Sequence, residues 1–219
     1  MTSAQLLTLL KDVLKADNDT IWTDAELYRY LTYAQQDIMA KMVEQDQNWF
    51  EATSSVDITS GTQEYSLPSD IFLGKVTVIE FIDRNGNYYP MEKIKKSKRE
   101  VTNGTSRFYA TQLTVPVYYI TGTKIGISPT PNETRTGAIL ITYIQSPSDI
   151  AANVQPTLPA MFHPLAAYRA AILAKGVKDD DDIENLVFVT SELETTLFRA
   201  FIDRATEAPT YIENLDERD

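Results

Sequence analysis

Residues 116–147 read PVYYITGTKIGISPTPNETRTGAILITYIQSP, and this stretch decides the fold class. It predicts three short strands: one that ends at Ile120, a return strand over residues 124–128, and a third over residues 138–145. Glycine and proline lie at the turns between them, where the chain must reverse. Because segments with helical periodicity flank this stretch, the sequence predicts a β region embedded in a helical chain.

Strand patterns begin well before this stretch, at about residue 53. Val56 and Ile58 alternate with polar residues, residues 65–67 form a partner strand, and residues 76–82 form a β-branched strand. The dipeptide Asn85-Gly86 then favours a tight hairpin. The whole pattern predicts a small antiparallel sandwich or barrel of six to eight strands.

Four helices are predicted on either side of the β region. The first covers residues 3–16 with Ser3 as its N-cap, and the second begins at a capping box formed by Thr23 and Glu26. The third covers residues 161–175 and ends at Gly176, a favourable C-cap. The fourth covers residues 183–205 and follows four consecutive aspartates.

The predicted fold class is therefore α+β. We expect a four-helix bundle formed by the N- and C-terminal helices, an inserted antiparallel β-sandwich or barrel domain, and an extended C-terminal arm. The expected boundaries are 1–50 for the N-terminal helices, 51–150 for the β domain, 151–206 for the C-terminal helices and 207–219 for the arm.

Composition narrows the class of protein. The net charge of −11, from 31 acidic and 20 basic residues, argues against a typical nucleic-acid binder. No apolar run approaches the roughly 18 residues of a membrane span, and the first residues lack the basic region of a signal peptide. The absence of cysteine excludes disulfides and thiolate metal sites. We expect a soluble protein made in the cytoplasm.

One basic cluster runs from Lys93 to Arg99. Its simpler interpretation is a solvated loop or short helix after a strand. Its functional interpretation is a patch that docks on an acidic surface of a neighbouring subunit or on passing DNA.

The sequence offers little chemistry. Its one histidine, His163, has no evident partner for general-base work, and no phosphate-binding loop or nucleophile elbow is present. We predict no catalytic, cofactor-binding or metal-binding residue. Trp49-Phe50 and Tyr118-Tyr119 could stack on a sugar or base, although packing explains them more simply.

The order of these parts resembles the head-to-tail adaptor (connector) proteins of tailed bacteriophages, including the tubular gatekeeper type of short-tailed phages. The resemblance covers about residues 5–205. The segments that carry it are 21–27 (IWTDAEL) with Ala34 and Ile38, 67–70 (LPSD), 119–131 (YITGTKIGISPTP) and 143–147 (YIQSP).

The resemblance implies a structural virion protein rather than an enzyme. Family members form a ring, typically of twelve subunits, below the portal, and their helices surround a channel through which genomic DNA passes without specific binding. The implied partners are the portal protein, a tail or nozzle protein and other copies of the chain, with no membrane. The implied location is the head-tail interface of a virion assembled in the host cytoplasm.

In that family the C-terminal arm reaches the portal. Here Tyr211, Ile212 and Leu215 lie among acidic residues after Pro209, and we predict that they bind the portal. Two alternatives remain open at this stage. One is a carbohydrate- or receptor-binding virion module that uses the β domain, and the other is an acid-base hydrolase with paired carboxylates.

Overall fold

A computed structural model describes residues 1–15, 21–45, 48–98, 115–178 and 183–206 of the chain. Two compact units are present. The helical unit comprises Met1–Trp49 and Pro147–Asp219, and the β unit comprises Phe50–Ser146. Each unit is described by itself below.

The described part of the helical unit contains four α-helices. They are α1 (Ser3–Leu14), α2 (Asp24–Gln45), α3 (His163–Lys178) and α4 (Ile183–Thr206). The N-cap of α1 is Thr2 rather than Ser3, because the Thr2 hydroxyl accepts a hydrogen bond from the Gln5 backbone. The capping box of α2 is present: the Thr23 backbone donates to the Glu26 carboxylate at 2.8 Å, and the Glu26 backbone donates to the Thr23 hydroxyl.

The centre of the helical unit is α3. Five of its alanines, Ala166, Ala167, Ala170, Ala171 and Ala174, are essentially inaccessible to solvent. Small side chains let neighbouring helices approach closely, and both α1 and α2 pack mainly on α3. The main core therefore consists of leucines from α1 and α2 set against the alanines of α3, with Ile150 completing it.

The predicted four-helix bundle is wrong. In a bundle all four helices would contribute to one shared core, whereas here α1, α2 and α3 form the core and α4 adds only Leu186 at its edge. Near its C-terminal end α4 packs instead on Phe162, whose ring makes edge contacts with Phe198 and Phe201. The physical reason is that α4 packs mainly on α3, and its buried stripe, which includes Leu186, Thr190 and Phe201, is used against α3 and Phe162 rather than against α1.

The described part of the β unit contains seven strands in two antiparallel sheets. They are β1 (Glu51–Ile58), β2 (Glu64–Ser66), β3 (Ile71–Ile82), β4 (Tyr88–Pro90), β5 (Val117–Thr121), β6 (Lys124–Ser128) and β7 (Arg135–Gln145). The strand order is β1-β7-β3-β4 in one sheet and β2-β6-β5 in the other. The mixed α+β composition thus agrees with the sequence, although the bundle does not.

Both sheets contribute to one β core. Ile79, Ile139 and Ile141 from the larger sheet meet Ile125 and Ile127 from the smaller one. These side chains are almost fully buried. Because β-branched residues suit a pleated surface buried on one face, this core follows from the alternating pattern of the sequence.

An aromatic ring covers a glycine within the smaller sheet. Tyr119 lies opposite Gly126 in the β5-β6 ladder and is 1% exposed. A Cβ on Gly126 would overlap the ring of Tyr119. The glycine is therefore required by the close approach of the ring.

Candidate interaction surfaces

An open apolar groove lies between α2, α3 and α4 in the helical unit, with a volume of about 410 Å³. We call it the apolar groove and define it by Tyr33, Leu173 and Val187, which line it and are 51%, 41% and 47% exposed. Asp37, Arg169 and Glu194 also line it. Clustered large apolar side chains at a surface mark a place where another molecule binds.

A network of charged side chains holds the walls of the apolar groove together. Arg169 of α3 forms ion pairs with Asp37 of α2 and Glu194 of α4. The Lys41 ammonium also lies 2.6 Å from a Glu194 carboxylate oxygen. Burial by itself raises the pKa of Glu194, but hydrogen bonds from Lys41 and Arg169 outweigh it and hold that pKa below the ordinary value. The groove is therefore bounded by helices that are tied to one another.

A second exposed apolar surface lies on the outer side of α4 and is defined by Phe188 and Val189. These residues follow Val187 directly, so the helix points the three side chains in different directions, and only Val187 lines the apolar groove. Phe188 is 63% exposed, and Val177 at the end of α3 is 68% exposed. Exposure of this kind fits a protein that buries α4 in an assembly.

The β unit presents one isolated apolar side chain on a bulge. Strand β3 pairs with β7 at Ile71 and again from Val76, so the residues between them leave the ladder. We call residues 72–75 the Leu73 bulge. Leu73 is 67% exposed, and its backbone has a positive φ of 50°. Side chains with a Cβ disfavour this region, so the leucine occupies a strained position.

The basic cluster lies on the surface of the β unit. Lys93, Lys95 and Lys98 are exposed, while the Lys96 ammonium lies 2.9 Å from a carboxylate oxygen of Glu64. That hydrogen bond is the main reason why the pKa of Glu64 is lowered. Arg99 lies outside the described residues. The cluster thus offers several lysines to solvent, and its docking role stays a prediction.

Net charge divides unevenly between the two units. The helical unit contains 22 acidic and 10 basic residues, a net charge of −12, and the β unit contains 9 acidic and 10 basic residues, a net charge of +1. Twelve of these 22 acidic residues lie outside the described residues, and the described part of the helical unit contains 10 acidic and 9 basic residues. The described helices are therefore nearly neutral.

The surroundings of His163 indicate a structural role. Its Nε2 donates to the Leu158 carbonyl at 2.9 Å, and its Nδ1 lies 2.9 Å from the backbone nitrogen of Met1. Burial lowers the pKa of His163 below 6.5, even though the hydrogen bond to Leu158 opposes this. The ring is only 5% exposed, so it is presented poorly for contact with a substrate.

The described residues give no specific support to the other two functions. A general acid needs a raised pKa, yet the described carboxyls with clear shifts, among them Asp70 and Asp83, have lowered values. Tyr119 is buried under its own sheet and cannot stack on a sugar, while Trp49 is half exposed and contacts the edge of Phe201. Within the described ranges no three His, Asp or Glu side chains could together hold a metal ion. None of the described helices is long and apolar enough to cross a membrane.

The predicted portal-binding residues Tyr211, Ile212 and Leu215 lie outside the described residues. Neither the apolar groove nor the Leu73 bulge was predicted from the sequence. A signal for the first was available, because three consecutive apolar residues at 187–189 cannot all be buried on one side of a helix. The signal for the bulge was Gly74, because an isolated glycine in a strand pattern indicates a bulge.

Comparison with known proteins identifies one family over nearly the whole chain. The family model described as SU10 adaptor protein matches residues 1–213. No curated protein sequence matches at a significant level. The chain therefore belongs to the SU10 adaptor protein family, in agreement with its resemblance to the head-to-tail adaptors of phages.

Proposed function

We propose that the chain is a structural adaptor of a phage virion that forms a ring below the portal and connects the capsid to the tail. The observation that carries this proposal is the family match over residues 1–213. Its partners are the portal protein, a tail or nozzle protein and other copies of itself. The protein is then part of the head-tail interface, and its role is structural rather than enzymatic.

The exposed apolar surfaces support assembly. The apolar groove and the outer side of α4 would be unfavourable in a protein that stays a monomer. A ring of identical subunits needs two different contact surfaces on each subunit, because each copy meets its two neighbours in a head-to-tail manner. The described surfaces are different from one another, as such a ring requires.

The net charge supports a channel for DNA. The chain has a net charge of −11, and a ring of such copies repels phosphates, so DNA passes through without being held. The same charge disfavours a role in sequence-specific DNA recognition.

The predicted portal contact can be tested by shortening the chain. Deletion of residues 207–219 should leave the thermal midpoint nearly unchanged, since the sequence of that segment has no apolar helical stripe and mixes its few apolar residues with acids. It should also abolish co-purification with portal rings from the same phage, with negative-stain images recording whether adaptor density sits on the portal.

A matched variant separates side-chain contacts from length. Replacement of Tyr211, Ile212 and Leu215 by serine keeps the arm at full length, and it should abolish binding to portal rings as completely as the deletion does. If both variants still bind portal rings with unchanged affinity, the anchor lies elsewhere in the chain. If the intact protein binds no portal at all, the adaptor function itself is wrong.

A further inference from the structure

The Leu73 bulge combines two unfavourable features. Leu73 is highly exposed, and both Leu73 and Gly74 have positive φ values, of 50° and 68°. Tight turns with two such residues favour Asn-Gly, not a large apolar side chain. A strained and exposed residue of this kind indicates a contact that the isolated chain does not show.

The apolar groove has the complementary character. Tyr33, Leu173 and Val187 form an exposed apolar lining, and the carboxylates of Asp37 and Glu194 lie beside it. Asp37 is half exposed even though it pairs with Arg169. A leucine that enters this groove with a basic neighbour would therefore bury apolar surface and bring a positive charge toward the half-exposed carboxylate of Asp37.

Lys75 supplies that basic neighbour, two residues after Leu73 in the bulge. We propose that the Leu73 bulge of one copy docks into the apolar groove of a neighbouring copy, so that Leu73 contacts Leu173 and Val187 while Lys75 approaches Asp37. The inference rests on the proposed ring, for which it names the contact between neighbours.

A symmetric contact between two grooves would leave the Leu73 bulge exposed in both copies. A bulge that enters a groove leaves one free bulge and one free groove after each step. Such a contact extends from copy to copy, as ring formation requires.

Disulfide trapping can test this contact because the chain contains no cysteine. The experiment mixes two full-length variants, Leu73→Cys and Val187→Cys, at high concentration under mild oxidation. The control replaces the second partner by Phe188→Cys, since Phe188 is the next residue of α4, is more exposed than Val187 and does not line the groove. Non-reducing gels measure the yield of the mixed dimer.

The expected yield of mixed dimer between Leu73→Cys and Val187→Cys is at least about tenfold above the control, because docking raises the effective concentration of the two thiols. Equal yields in the test and the control overturn the inference. Efficient pairing of Leu73→Cys with itself overturns it as well, since that result means that two bulges meet. If rings form but the tested pair does not link, only this contact is wrong. If the chain stays monomeric at every concentration and forms no ring on the portal, the proposed ring is wrong as well.

Leu73→Asn is a second variant whose result does not depend on oxidation. Asparagine tolerates the left-handed backbone, so we expect a higher thermal midpoint. We also expect self-association, measured by light scattering, to weaken at least about tenfold because the central apolar contact is lost. Unchanged self-association in this variant overturns the inference, and loss of ring formation despite higher stability supports it.

Discussion

The helical unit and the β unit are stabilised in different ways. In the helical unit, five buried alanines of α3 allow α1 and α2 to pack closely, and much of α4 remains exposed. In the β unit, isoleucines from two sheets fill one core, and a glycine lies under an aromatic ring. Most of the exposed large apolar side chains among the described residues lie in the helical unit. That unit therefore offers the larger surface for assembly.

The largest expected effect is on the β unit, from Gly126→Ala. The added methyl group would overlap the buried ring of Tyr119, and we expect a loss of about 3 kcal/mol in the free energy of unfolding. Both tryptophans, Trp22 and Trp49, belong to the helical unit. Far-ultraviolet circular dichroism should therefore record the loss of β structure, while tryptophan fluorescence follows the helical unit.

The matched control for this change is Gly176→Ala in α3. A Cβ there would lie 3.7 Å from its nearest neighbour, and alanine favours helix, so we expect a gain of up to about 1 kcal/mol. A stable Gly126→Ala variant would mean that the ring of Tyr119 can move. In that case the buried ring does not require a glycine at position 126, and the close approach of ring and glycine is not a constraint on the β core.

A smaller effect is expected in the helical unit from Arg169→Met. The change leaves Asp37 and Glu194 without their shared cation, and should cost about 2 kcal/mol, less than for a fully buried pair because Asp37 is half exposed. Chemical denaturation followed by tryptophan fluorescence measures it. The pKa of Glu194 is lowered from 4.5, so the network stabilises the fold above that pH and its contribution is lost as the pH falls below it.

The same substitution at Arg84 is the control in the β unit. The Arg84 side chain is 79% exposed in its pair with Glu133, so Arg84→Met should leave the unfolding transition unchanged. Equal losses at Arg84 and Arg169 would contradict the view that the ion network holds the groove.

The smallest effect concerns the pH dependence that His163 gives to the helical unit. Its pKa is lowered from 6.5 by burial, so the unfolded chain binds a proton more readily, and stability falls as the pH drops below that value. His163→Ala should cost about 1 kcal/mol at neutral pH through lost hydrogen bonds and should flatten this dependence. Thermal midpoints from pH 5 to pH 8 would show both changes.

Nuclear magnetic resonance offers a direct check, because the chain contains a single histidine. A measured pKa at or above 6.5 would contradict the buried, neutral ring. The variant should keep its assembly behaviour, since His163 has a structural environment and lies in neither of the two proposed contact surfaces.

Structural features whose causes lie within a few residues of one another could be predicted well from the sequence. The capping box of Thr23 and Glu26 is present, and Asn85-Gly86 lies at the hairpin between β3 and β4 with Gly86 at a φ of 84°. Gly176 was expected to end α3, but the helix continues to Lys178. A glycine weakens a helix only modestly, and the surrounding packing decides whether the helix continues.

The candidate surfaces depended on tertiary structure. The apolar groove needs Tyr33 from α2, Leu173 from α3 and Val187 from α4, which are far apart in the sequence. Three consecutive apolar residues at 187–189 cannot all be buried on one side of a helix, but this pattern does not say which partner helix they meet. The Leu73 bulge follows from the register of β3 against β7, because the extra residues appear only once those two strands are paired.

The sequence by itself determined the helix and strand segments, the lack of cysteine chemistry and the family of the protein, because periodicity, capping and composition act over short distances along the chain. Tertiary structure alone decided that α4 stays outside the main core and that Leu73 projects from its sheet. It also decided that β1, the first described strand of the β unit, pairs with β7, the last one. These outcomes depend on which apolar faces meet across long stretches of chain, and periodicity describes each face without naming its partner.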